Sequence, residues 1–107
     1  MMTKRSIKKG RPPGSTTFQR TTAIAFGDAV RSVRMQQGMA QETLANLAGI
    51  ERSHMGKVER GEHLPTLALI FRIAKALKCG AGDLVTAAER NLQDDEADSI
   101  QGDRHED

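Results

Sequence analysis

The stretch Gln41-Glu42-Thr43-Leu44-Ala45-Asn46-Leu47-Ala48-Gly49-Ile50-Glu51-Arg52-Ser53-His54-Met55-Gly56-Lys57-Val58-Glu59-Arg60-Gly61 decides the reading of this chain. Leu44, Ala45 and Ala48 fall on one side of a helix over 41–48. Gly49 follows as the residue able to take a positive φ in a tight turn. Ile50 then plugs the core, and a second helix fits Arg52 to Arg60, burying Met55 and Val58. Gly61 ends it. Ala45 is small where the two helices must close on each other.

Working outward, Phe26, Val30 and Val33 recur at helical spacing, with Thr22 as the expected N-cap and Gly38 as the stop. After Pro65, Thr66 is expected to cap a helix whose apolar set is Leu67, Ile70, Ile73, Ala74 and Leu77. Cys79 and Gly80 make a turn, and a last helix runs from Ala81 through Leu84 to about Leu92. No segment alternates with period two. The expectation is therefore an all-α, five-helix domain over 22–92, with a flexible basic arm (1–21) before it and a flexible acidic tail (93–107) after it.

Composition and charge narrow the classes further. The chain has 107 residues, 37% of them hydrophobic, with no Trp, no Tyr and three Phe. That suffices for one small core. The longest apolar run, Leu67 to Phe71, is far short of the ~20 residues of a membrane span, and no apolar signal segment follows the start, so no membrane partner is expected. The lone Cys79 forms no internal disulfide and fits a reducing cytoplasm. The net charge of +2 hides an asymmetry: residues 1–22 hold six Lys/Arg and no acid, whereas 89–107 hold eight Asp/Glu and two Arg. Such an arm suits phosphate, because each neutralised phosphate releases counterions.

The helix over 52–60 carries the chemistry. On a helical wheel Met55, Val58 and Glu59 share the core side. Ser53, Lys57 and Arg60 lie near the opposite side with Gly56 beside them, and Arg52 opens the helix with room to swing forward. Arg52, Ser53, Gly56 and Lys57 are the expected base readers: Arg and Lys donate to guanine O6/N7, Ser pairs with several bases, and a groove-facing Gly permits close backbone approach. The bland alternative is a solvated polar face. Gln41 sits at a helix N-terminus, where backbone N–H groups attract anions. Arg60 and His63, just past the reading helix, are further candidates for phosphate.

Two short helices at this spacing form a helix-turn-helix. The stretch resembles the lambda-repressor/Cro-like (XRE) family, over Phe26 to about Val85. The resemblance rests on Val30-Arg31-x-x-Arg34, Gln41-Glu42-x-Leu44-Ala45, Glu59-Arg60-Gly61, Pro65 and Ala74-x-x-Leu77. It implies a five-helix DNA-binding domain whose third helix lies in the major groove of double-stranded DNA, commonly as a homodimer. It also implies that Gln41 contacts phosphate and that Arg34 and Glu59 form a structural salt bridge. Two positions depart from the pattern: Ala40 and Glu51 stand where Ser or Thr usually caps.

In the arm, Lys8-Lys9-Gly10-Arg11-Pro12 resembles an AT-hook core, so Lys8, Lys9 and Arg11 are candidates for the minor groove, or for nonspecific phosphate attraction. Leu69, Phe71, Leu84 and Leu92 are candidates for a dimer surface, with core packing as their alternative. His54, His63, His105 and Cys79 lack metal-ligand spacing, and no nucleophile–base set or phosphate loop stands out. Neither a metal, a cofactor nor an enzymatic activity is expected. The function expected is a sequence-specific transcriptional regulator, with repression as its mode. The alternative is an antitoxin-like module that binds a small protein partner, through its acidic tail, and controls its own operon.

Overall fold

A computed structural model describes the backbone of residues 13–105 and the side chains of residues 19–94. Among these residues there are five helices and no strands: α1 (Pro13–Gln36), α2 (Gln41–Ala48), α3 (Arg52–Glu59), α4 (Leu67–Ala76) and α5 (Ala81–His105). No helix among them is long and apolar enough to cross a membrane.

Glycine and its left-handed backbone end the two central helices. At the end of α2, Gly49 takes φ 76°, and the Ile50 N–H reaches back to the Ala45 carbonyl at 3.0 Å. At the end of α3, Gly61 takes φ 75°, and the Glu62 N–H reaches the Lys57 carbonyl at 2.8 Å. Both closures satisfy carbonyls that the helix leaves unpaired. The Thr66 hydroxyl caps α4 by accepting from Leu69 N–H at 3.1 Å, whereas Ala40 and Glu51 contribute no capping side-chain bond to α2 and α3.

α1 packs on α3 and α5, α2 on α3 and α4, and α4 on α5. Val30, Leu44, Met55, Val58, Ile73, Leu77 and Leu84 are fully enclosed, so every helix sends at least one large side chain into one core. Each such burial is worth roughly 1.5–3 kcal/mol. Polar ties join the helices: Asn91 Nδ2 donates to the Ala25 carbonyl (3.0 Å), Gln37 Nε2 to Leu77 (2.7 Å) and Arg72 Nε to Ala48 (3.1 Å).

Several expectations need correction. α1 begins at Pro13, nine residues before Thr22, so Thr22 lies inside the helix and is not its N-cap. Proline fits an opening position because its missing N–H would be unpaired there anyway. α5 runs past Leu92 to His105. Leu67 is exposed, not core: Leu69, two positions on and so far round the helix from it, takes the inward side of the first turn of α4. Leu69 and Leu84 are buried inside the domain and are unavailable as a dimer surface; Phe71 is exposed and Leu92 half-buried. The left-handed residue after α4 is Lys78 (φ 57°), one position ahead of the expected Cys79-Gly80 turn.

Candidate nucleic-acid interface

α3 has two unlike sides. Met55, Val58 and Glu59 are buried against the domain. Arg52, Ser53 and Lys57 are exposed on the side away from it. The separation follows from the helical repeat, since residues two apart lie far round the axis from each other while those three or four apart share a face.

The seat of α3 is built by backbone contact. A Cβ at Gly27 of α1 would stand 2.3 Å from the Val58 carbonyl oxygen and 2.6 Å from that of Glu59, so α1 and the end of α3 touch main chain to side-chain-free Cα. At Gly61 a Cβ would meet Ile24 at 2.4 Å. Sequence reading missed Gly27, although a glycine inside an otherwise apolar helical pattern was the available signal.

Beside this seat lies a charged network. Arg34 Nε and Nη2 donate to the two Glu59 carboxylate oxygens at 2.7 and 3.0 Å, and Arg34 Nη1 donates to the Met39 carbonyl at 2.8 Å. Gln41 Nε2 donates to Glu59 Oε1 at 3.0 Å. The buried carboxylate therefore has three donors, from α1 and α2, which is what a charge taken out of water requires. Gln41 is half-buried, and its amide nitrogen is bound to the scaffold.

Gly56 differs from its expected placement. It is buried, and a Cβ there would lie 3.0 Å from Arg60 Nη1 and 3.6 Å from Gln41 Oε1. It makes room for the Arg60 guanidinium and does not form an open groove-facing backbone. Arg60 itself is exposed and paired bidentately with Glu62, Nε to Oε2 at 2.9 Å and Nη2 to Oε1 at 3.2 Å. The hydrogen bond from Arg60 holds the Glu62 carboxyl below its ordinary range, and the same bond raises the Arg60 guanidinium above its own. His63 is exposed, with its ring edge-on to His54 at 4.6 Å between centroids. Arg31 joins Arg34, Gln41, Glu59 and Arg60 in lining one open cleft, and the sequence reading had not singled it out as a contact. Lys8, Lys9 and Arg11 lie outside the described residues.

Gln41 and Arg60 thus line one cleft, Arg52 lines a second with Glu42 and Asn46, and His63 a third with Arg20 and Glu62, while Ser53 and Lys57 stand exposed on α3. Fold and surface together define a helix-turn-helix protein. The family profile of that description, HTH_3, matches residues 30–84, just over half of the chain, and the chain belongs to that family. It is 40% identical to control protein C.SmaI of Serratia marcescens over 57% of this chain and 73% of the relative. It is 37% identical to YazB, an HTH-type transcriptional regulator of Bacillus subtilis, over 58% of this chain and 90% of that protein. Among solved structures, the restriction-modification controller protein C.AhdI of Aeromonas hydrophila superposes with a TM-score of 0.57 at 40% identity, covering 58% of this chain and 94% of its own.

Proposed function

We propose that this helix-turn-helix transcriptional regulator reads duplex DNA by seating α3 in the major groove. Arg52, Ser53 and Lys57 face the base edges; Gln41, Arg60 and His63 flank them at the phosphates. Gly56 serves this face indirectly, by leaving space for Arg60. Arg34 and Glu59 hold the scaffold and make no contact with DNA. Lys8, Lys9 and Arg11 extend the contact into the adjacent minor groove. The protein acts in the cytoplasm as a homodimer, which places two copies of α3 about 34 Å apart on one side of the duplex. Occupying that groove excludes other proteins from it, a direct route to repression.

One observation carries the reading: α3 is locked on its inner side by Met55, Val58 and Glu59 while Arg52, Ser53 and Lys57 stand free on its outer side. Names of the relatives, regulators and controller proteins, support the same activity. Selection of bound duplexes from random DNA tests it. The wild-type protein should enrich a two-fold-symmetric site. Arg52→Ala and Lys57→Ala should each relax one position per half-site, a loss of about 1–3 kcal/mol of discrimination. Enrichment of no sequence by the wild type, or identical sites with both variants, overturns the assignment.

A further inference from the structure

Arg60 is the one cation of the proposed phosphate rim that is already held by a carboxylate among the described residues. Its guanidinium is engaged on two nitrogens by Glu62, at 2.9 and 3.2 Å, with both side chains more than half exposed. The position of Glu62 is set by the main chain. Its N–H is bonded to the Lys57 carbonyl at 2.8 Å, and the preceding Gly61 is buried with φ 75°. The carboxylate is held on Arg60, and the Lys57 charge also favours its ionised form. The Arg60 fork lies across Gly56, whose missing Cβ gives it room. Exposed ion pairs of this kind add little to folding. A negative charge facing a polyanion, in contrast, acts on binding over its full length of contact.

We propose that Glu62 sets the affinity of the DNA interface by masking Arg60: a phosphate that engages the Arg60 fork must displace the Glu62 carboxylate. The inference rests on the proposed reading of α3 and its phosphate rim. In the free protein the pair is neutral and condenses no counterion on the duplex side. When DNA takes Arg60, Glu62 is left as an unpaired anion near the backbone and recruits a cation, which cancels the counterion released by the new phosphate contact. Glu62 thus removes about one contact from the salt dependence of binding while leaving the base-reading residues untouched.

The experiment uses the full chain and a mixed-sequence duplex, because counterion release does not depend on sequence. Affinity is measured across salt for wild type, Glu62→Gln, Arg60→Ala and the Arg60→Ala/Glu62→Gln double variant. Glu62→Gln keeps the side-chain size and removes its charge. It should bind more tightly at low salt, with a log–log slope steeper by about 0.9, so that its advantage over wild type shrinks about three- to fourfold between 50 and 200 mM. In the double variant the extra slope should vanish. An unchanged or shallower slope in Glu62→Gln, or extra slope that survives loss of Arg60, overturns the inference. Arg52→Ala and Lys57→Ala, tested in the duplex selection, separate the two failures. If those variants relax the selected site while Glu62→Gln leaves the slope alone, Glu62 is the error; if they select the wild-type site, the reading of α3 is.

Discussion

The two sides of α3 obey different rules. Its inner side meets main chain at Gly27, a bidentate guanidinium at Glu59 and a closed apolar core at Met55 and Val58. Its outer side carries Arg52, Ser53 and Lys57 into solvent. On the inner side each atom has a neighbour, so a change of one group is felt as clash, cavity or unpaired charge. On the outer side there is no such neighbour, and substitutions there should stay within about 0.5 kcal/mol in stability. In the proposed reading, stability and recognition are thereby divided between faces of one eight-residue helix, and recognition by so short an element depends on the rigidity of the side turned away from DNA.

The largest test of this division removes the cation behind Glu59. Arg34→Met keeps the length and apolar stem but leaves the buried carboxylate with Gln41 as its remaining side-chain donor. A loss of about 3–5 kcal/mol is expected in denaturant unfolding. Exchange of the two charges, Arg34→Glu with Glu59→Arg, should recover part of that loss. Full recovery is not expected, because the wild-type arrangement also satisfies the Met39 carbonyl and the Gln41 amide. A melt in which Arg34→Met matches wild type would show that the network does not hold α3.

Next in size is Gly27→Ala. By helix propensity alone the substitution should stabilise α1 by up to about 1 kcal/mol. The new Cβ, however, would sit 2.3 Å from the Val58 carbonyl oxygen and 2.8 Å from the Glu59 carbonyl carbon, and backbone atoms cannot rotate aside. Overpacking of this sort typically costs about 1–3 kcal/mol and occasionally more, against which propensity returns at most about 1 kcal/mol. We expect net destabilisation at unchanged m-value, together with weaker DNA binding as α3 is pushed from its seat. A stabilised protein would mean that α1 and α3 can separate freely, and the contrast between the faces would lose its main support.

The same division explains what could be read from sequence. The ends of α2 and the start of α3 were legible because glycines at 49 and 61 and the spacing of Leu44, Ala48, Met55 and Val58 agree with one another. Arg34 and Glu59 could be paired through the resemblance, while their bonds to Met39 and Gln41 could not, since nothing local in sequence aims a carbonyl or an amide. The start of α1 was missed because residues 14–20 offer no apolar face, so periodicity had nothing to register; a helix once formed gains a hydrogen bond with each added residue, whatever its polarity. The end of α5 was missed for the same reason. Gly56 was misplaced because a wheel gives an angle but not the neighbour, here Arg60, that covers it.

The smallest effect concerns the entry to α2. Thr66 shows what a capping side chain does in this protein: its hydroxyl takes the Leu69 N–H at 3.1 Å. Ala40 has extended backbone angles at the equivalent position of α2 (φ −72°, ψ 150°) and offers no such oxygen. Ala40→Ser should therefore stabilise the domain by about 1 kcal/mol, raising the melting temperature by about 4–8 °C. A serine cap uses an N–H of the second or third helical residue, whereas a phosphate at this helix end can use that of Gln41, the first. Affinity for DNA should accordingly stay near wild type while the melt rises. If affinity falls as the melt rises, the N–H taken by the cap is one that the phosphate uses, and the scaffold and the interface share this turn instead of dividing it.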